Sequence, residues 1–102
     1  MTKATLIKSA FISIALSASA ASFADAATIY KDACAVCHAE GIADSPKLGD
    51  KEAWAPRIAT GMDALYETSL KGKGAMPAKG GRVDISDDDI KSVVDYMVEQ
   101  SK

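Results

Sequence analysis

The stretch Cys34-Ala35-Val36-Cys37-His38 decides how this sequence is read. A C-x-x-C-H run is the attachment signature of c-type haem: each thiol adds across one vinyl group of the porphyrin, and the imidazole of the next residue reaches the iron. The spacing follows from that chemistry. On a helical turn the two sulfurs straddle one edge of the ring, while the adjoining histidine is lifted over the metal with one nitrogen free to ligate it. Two other chemistries use paired cysteines. A thioredoxin-like dithiol belongs beside a βαβ pattern, which is missing, and a structural zinc site takes four Cys or His ligands. Cys34 and Cys37 are the only cysteines and His38 the only histidine, which disfavours zinc.

Residues 1–24 read as a secretory signal. Lys3 and Lys8 precede an apolar run over residues 10–16, and small residues end at Ser22-Phe23-Ala24, with a second cleavage register after Ala26. The apolar run is well short of the roughly 20 residues that cross a bilayer, so no permanent membrane anchor is expected. The exported protein is then periplasmic in a host with two membranes. Cleavage after Ala24 leaves 78 of 102 residues, a single domain over 25–102. It also removes two of 12 basic residues and none of 14 acidic ones, so the net charge becomes −4. Nucleic acid is not an expected partner of such a chain. A domain this small buries little surface and usually needs a staple; a covalently held porphyrin would complete its core.

The remainder reads as all-α. Residues 25–36 form a first helix, with Ile29, Tyr30 and Ala33 on one face and the cysteine motif at its end. Residues 39–50, with Gly41, Pro46 and Gly49, form a loop. Asp50 caps a short turn, after which Pro56 either kinks the helix or starts a new one. Trp54 and Ile58 share a face. Met62, Leu65, Tyr66 and Leu70 form a helical stripe that Gly72 closes. The last helix opens at Ser86, with Asp89 completing a capping box, an Ile85 and Ile90 staple, and three aspartates at the positive end of its dipole. Its core face is Ile90, Val93, Val94 and Met97, whereas Asp95, Glu99 and Lys102 read as a solvated face.

From the motif outward the chain resembles the class I c-type cytochromes, most of all the cytochrome c5 group. The runs Trp54-Ala55-Pro56-Arg57-Ile58-Ala59-Thr60-Gly61-Met62-Asp63-Ala64-Leu65-Tyr66 and Gly74-Ala75-Met76-Pro77-Ala78-Lys79-Gly80-Gly81 carry the likeness more specifically than the haem motif does. The resemblance implies about four helices wrapped around one covalently attached haem c. It also implies that the Pro46 carbonyl meets the second nitrogen of His38, that Leu48 packs on the ring, and that Arg57 binds a propionate. Trp54 either donates its indole N–H to a propionate or packs in the core. Tyr30, four residues before Cys34, meets Val94 or Tyr96 where the first and last helices cross. Some members carry an extra cysteine pair before the last helix; here Arg82-Val83-Asp84-Ile85 stands in that place, so that staple is absent.

Opposite His38 the soft donors available are Met62, Met76 and Met97. Pro77 biases Met76 toward an extended conformation, and the glycines around it let backbone pass close to a porphyrin face. Met62 and Met97 fit helical apolar stripes. Met76 is therefore the expected second iron ligand, in the His/Met pairing of cytochromes c. The expected function is single-electron transfer between a membrane-bound donor and a terminal oxidase or reductase. The competing class is a haem enzyme or gas sensor with an open or labile sixth position. Lys71, Lys73, Lys79 and Arg82 flank the Met76 loop and form a basic cluster that would steer an acidic partner.

If the porphyrin completes the core, replacing Cys34 and Cys37 together by Ala should leave an exported chain that is largely unfolded. Circular dichroism checks this, and a native helix content in the haem-free variant would refute it.

Overall fold

The structure, a computed structural model, describes residues 25–102; the signal expected over residues 1–24 lies outside them. The first helical stretch, α1, is α-helical over residues 25–29, forms a π-helical turn at Tyr30–Cys34, and resumes as an α-turn at Ala35–His38. It therefore runs through the histidine, two residues beyond the expected end. The π-turn is closed by the Ala35 N–H donating to the Tyr30 carbonyl. Such an inserted residue shifts the register of a helix, and is found mostly at functional sites. Here it separates the core face of Ala26 and Tyr30 from the face bearing Cys34 and His38.

Three further helices follow: α2 (Lys51–Ile58), α3 (Met62–Lys71) and α4 (Asp87–Ser101). Short 3-10 turns at Ile42–Asp44 and Ala78–Gly81 break the two long loops. Among the described residues the single β pairing is an isolated bridge between Lys73 and Met76. The architecture is all-α with four helices, as expected. Asp50 caps α2, its Oδ1 accepting from the Ala53 N–H at 3.1 Å. The helix continues through Pro56 and does not restart there. The Ser86 Oγ accepts from the Asp89 N–H at 3.1 Å, so the capping interaction at the start of α4 is formed.

The core is built largely on one face of α4. Ile90, Val93, Val94 and Met97 are buried as their spacing demands, and the buried face extends to Val98 and Ser101. Burying one such aliphatic side chain is worth roughly 1.5–3 kcal/mol. Opposite lie Ala26 and Tyr30 of α1 and Trp54 of α2, with Met62, Leu65 and Tyr66 of α3 half-buried against them. Of the two expected aromatic-crossing partners, Tyr96 stacks on Tyr30, with centroids 5.9 Å apart and planes tilted by 53°.

Asp95 departs from the solvated face assigned to it. The Tyr66 hydroxyl donates to its Oδ1 at 2.5 Å, and Lys91 lies 5.6 Å from the centre of the same ring. That hydrogen bond, more than burial, pushes the Tyr66 hydroxyl up to about 12. Periodicity marked Asp95 as outward because its Cβ is off the core stripe. A tyrosine on the neighbouring helix brings a polar tip to the rim, where a carboxylate can meet it.

Gly80 is the tightest contact between the loops and α1. It sits at φ 62°, and a Cβ there would collide with the Ala33 carbonyl oxygen, its carbon lying 3.1 Å away. Gly81, at φ 88°, faces open space. Replacing Gly81 with Ala adds only backbone strain, whereas Gly80→Ala adds strain and displaces the loop from α1, together costing about 2 kcal/mol or more. The melting temperature of the Gly80→Ala holoprotein should fall by roughly 10 °C, in line with the scaling for a domain this small. Equal melting temperatures for the two variants would contradict this packing.

Candidate haem-binding site

The site begins where α1 ends. The Gly41 N–H donates to the Cys37 carbonyl at 2.9 Å, and Gly41 adopts φ 76°, turning the chain out of the helix. Ala43 and Asp44 continue in the left-handed region at φ 55° and 64°. These conformations are costly for residues with a Cβ. They fold the following segment back over the histidine.

The returning segment is tied down at several points. The Leu48 N–H donates to the His38 carbonyl at 2.9 Å, and the Trp54 indole donates to the Lys47 carbonyl at 2.9 Å. The Gly49 N–H donates to the hydroxyl of Ser101, fully buried at the end of α4, at 2.8 Å. Held between these bonds, the Pro46 carbonyl lies 2.8 Å from Nδ1 of His38. The His38 ring is buried, and its centre is 6.2 Å from that of Trp54. A carbonyl can only accept, so Nδ1 carries a proton and Nε2 is the nitrogen left to ligate a metal.

Cys34, Cys37, His38, Pro46, Arg57 and Met76 all line one hollow of about 520 Å³, whose wall surface is mostly apolar. That lies within the roughly 300–1,000 Å³ of small-molecule sites. A narrower hollow of about 110 Å³ shares Cys34, His38, Arg57 and Met76, and is backed by Trp54 and by Ile90, Val93 and Met97 of α4. Both thiols are free of any disulfide, and burial pushes the Cys34 thiol up to about 11. Two thiols, one imidazole nitrogen and one thioether around an apolar slot fit a covalently attached haem. Among the described residues no group of three or more His, Cys, Asp or Glu side chains is gathered to hold a free metal ion.

Met76 reaches the hollow from a tight reverse turn. Its N–H donates to the Lys73 carbonyl at 3.0 Å, and the Lys73 N–H donates back to Met76 at 2.9 Å. Gly72, at φ 87°, makes the turn possible: a Cβ there would stand 2.8 Å from the Met76 carbonyl oxygen. Met62 packs against the hydrophobic cluster instead, and Met97 is buried in it.

The other expected site residues are placed differently from one another. Leu48 packs against the hydrophobic cluster and is absent from the walls of either hollow; its N–H tie to His38 is its link to the site. Trp54 lines the narrower hollow, but its indole N–H is already spent on Lys47, leaving no donor for a propionate. Arg57 reaches both hollows from an exposed position, with Nη1 donating to the Ala53 carbonyl of its own helix at 2.7 Å. Leu65, Thr68 and Gly80 also line both hollows. Leu65 stood in the apolar stripe of α3, whereas Thr68 and Gly80 carry no side-chain chemistry that would have singled them out.

The basic cluster expected around the Met76 loop is largely neutralised. Lys71 pairs with Glu67 at 3.5 Å, Lys79 with Asp87 at 2.8 Å and Arg82 with Asp84 at 2.9 Å. Lys73 makes no ion pair among the described residues. Glu67 precedes the cluster by one turn of α3, and Asp84 and Asp87 follow it in sequence.

The chain is similar to several known proteins. The family model described as "Cytochrome C oxidase, cbb3-type, subunit III" matches residues 21–97. Cytochrome c-555 of Chlorobaculum tepidum is 47% identical over 104 residues, covering 94% of this chain and 96% of that protein. Cytochrome c5 of Azotobacter vinelandii is 42% identical over 66 residues, covering 63% of this chain and 80% of that one. A cytochrome c solved in an electron transfer complex with nitrite reductase superposes with a TM-score of 0.73 at 49% identity, covering 76% of this chain and 95% of that one. A mono-haem ferrocytochrome c from Shewanella putrefaciens gives 0.66 at 40% identity, covering 76% and 95%. With its C-x-x-C-H turn, its apolar slot and these relatives, the chain belongs to the class I c-type cytochromes and carries one covalently bound haem c.

Proposed function

We propose that this protein is a single-electron carrier whose iron is held by His38 and Met76. The observation that carries the reading is that a tautomerically fixed imidazole and a thioether line the same hollow as the two thiols. When bound, haem c supplies a one-electron iron couple. Cys34 and Cys37 hold the group as thioethers, so it stays with the protein through every cycle. His38 offers Nε2, and its Nδ1–H, donating to Pro46, makes the imidazole a better donor. The Met76 sulfur is a soft ligand that favours iron(II) and raises the potential relative to bis-histidine or thiolate ligation. Arg57 stands where a guanidinium would keep a propionate ionised. Trp54 and Leu48 act by packing around the ring and its histidine.

With His38 and Met76 both given to the iron, no position would be left for oxygen or peroxide, and the same side chains would serve the oxidised and reduced protein with little rearrangement. The basic, apolar and small-residue segments of residues 1–24 support export to the periplasm, and among the described residues no helix is long and apolar enough to cross a membrane. The partners would be a membrane-bound donor and a terminal oxidase or reductase. A relative solved together with nitrite reductase supports a redox enzyme as acceptor.

The Met76→Ala holoprotein should lose the weak sulfur-to-iron charge-transfer band that wild type shows at the red edge of its oxidised spectrum. A variant that keeps the band would remove Met76 from the iron. Reduced wild type should also be inert to carbon monoxide at neutral pH. Ready binding would favour the enzyme or gas-sensor class over the carrier.

A further inference from the structure

We propose that Lys79 is a positioning residue that clamps the Met76 loop to the start of α4 and so keeps the thioether at the iron; this rests on the reading of Met76 as a ligand. Three residues after Met76, the Lys79 ammonium donates to the Ile85 carbonyl at 2.7 Å and pairs with Asp87 Oδ1 at 2.8 Å. Its side chain is only 17% exposed, in contrast to the 75% of Lys71. It also lines the narrower hollow together with Met76.

The backbone shows that the lysine is held there against its own preference. Lys79 sits at φ 56°, in the left-handed region that Gly80 and Gly81 next to it adopt without penalty. A residue with a Cβ persists in that conformation only where its surroundings compensate. Two bonds from a mostly buried ammonium, one of them to a carboxylate, are the compensation, and a glycine could not provide them. Among the described residues this is the one side-chain bond joining segment 72–85 to α4. The Lys73 and Met76 pairing is internal to the loop, and Gly80 against Ala33 ties it to α1 instead. Arg82 bonds Asp84 within the loop, Nε donating to Oδ1 and Nη2 to Oδ2, each at 2.9 Å.

The segment before α4 is built as a turn ladder. The Arg82 N–H donates to Lys79 at 2.9 Å and the Ile85 N–H to Arg82 at 3.1 Å. The ammonium closes that ladder by returning to Ile85 and reaching Asp87. Asp87 is in the first turn of α4, where the helix dipole also favours its charge, and the neighbouring ammonium holds its carboxyl below the usual carboxylate range. Releasing the clamp frees the loop to open as a local unit, and an added ligand can then compete for the position Met76 leaves.

The test is the rate at which imidazole displaces Met76 in the oxidised holoprotein at neutral pH, read from loss of the sulfur-to-iron band. Lys79→Gln should speed displacement by about tenfold or more, the loss expected for a charge-assisted hydrogen bond. Lys71→Gln removes the same charge at an exposed pair, and Val98→Ala costs core packing at the far end of α4; both should keep the wild-type rate. If Lys79→Gln fails to retain haem, Asp87→Asn tests the same clamp and should speed displacement by a smaller factor. A Lys79→Gln protein no faster than Val98→Ala, while wild type shows the band, would overturn the clamp alone. A wild type without the band would overturn the ligand assignment, and the clamp with it.

Discussion

One acceptor, the carbonyl oxygen of Pro46, sets the chemical state of the imidazole on which this site depends. At 2.8 Å from Nδ1 it requires a proton there, and so leaves Nε2 as the only nitrogen able to ligate a metal. Proline suits that position because it has no N–H of its own and fixes φ. The remaining bonds of the segment serve the same end. Leu48 returns an N–H to His38, Lys47 takes the Trp54 indole, and Gly49 is pinned by Ser101. The buried hydroxyl at the C-terminal end of α4 thus contributes to the orientation of a ring held at the end of α1.

The Met76 loop is secured by a different arrangement at the opposite end of α4. Gly72 and Gly80 permit close backbone approach where any Cβ would collide, and Lys79 joins the loop to the helix start. The last helix thereby braces both sides of the slot, through Ser101 on the histidine side and Asp87 on the thioether side. Between them, Ile90, Val93 and Met97 back the narrower hollow. One helix thus serves both the segment over His38 and the loop that bears Met76.

Much of this was legible in the sequence where chemistry and periodicity coincide. The C-x-x-C-H turn, the stripe of α4, the caps at Asp50 and Ser86, and the pre-proline methionine each follow from a local rule, and a likeness to a known family added the acceptor role of Pro46. Asp95 was misread because the Tyr66 hydroxyl that donates to it stands on another helix, and periodicity carries no information about such a pair. The π-turn at Tyr30–Cys34 was equally hidden, because a one-residue change of register leaves no compositional mark. Lys79 was read as one of a basic cluster and Ser101 drew no reading; only the fold places them at the two ends of α4.

The most direct test of the central interaction is the exchange rate of the His38 Nδ1 proton, measured by NMR in the reduced, diamagnetic holoprotein. A proton buried with the ring and donated to the Pro46 carbonyl should give one resonance that outlasts the exposed amides after transfer to deuterated solvent. A resonance lost as fast as those of solvent-exposed side chains would show that Pro46 does not hold the imidazole, and would contradict this account of the site.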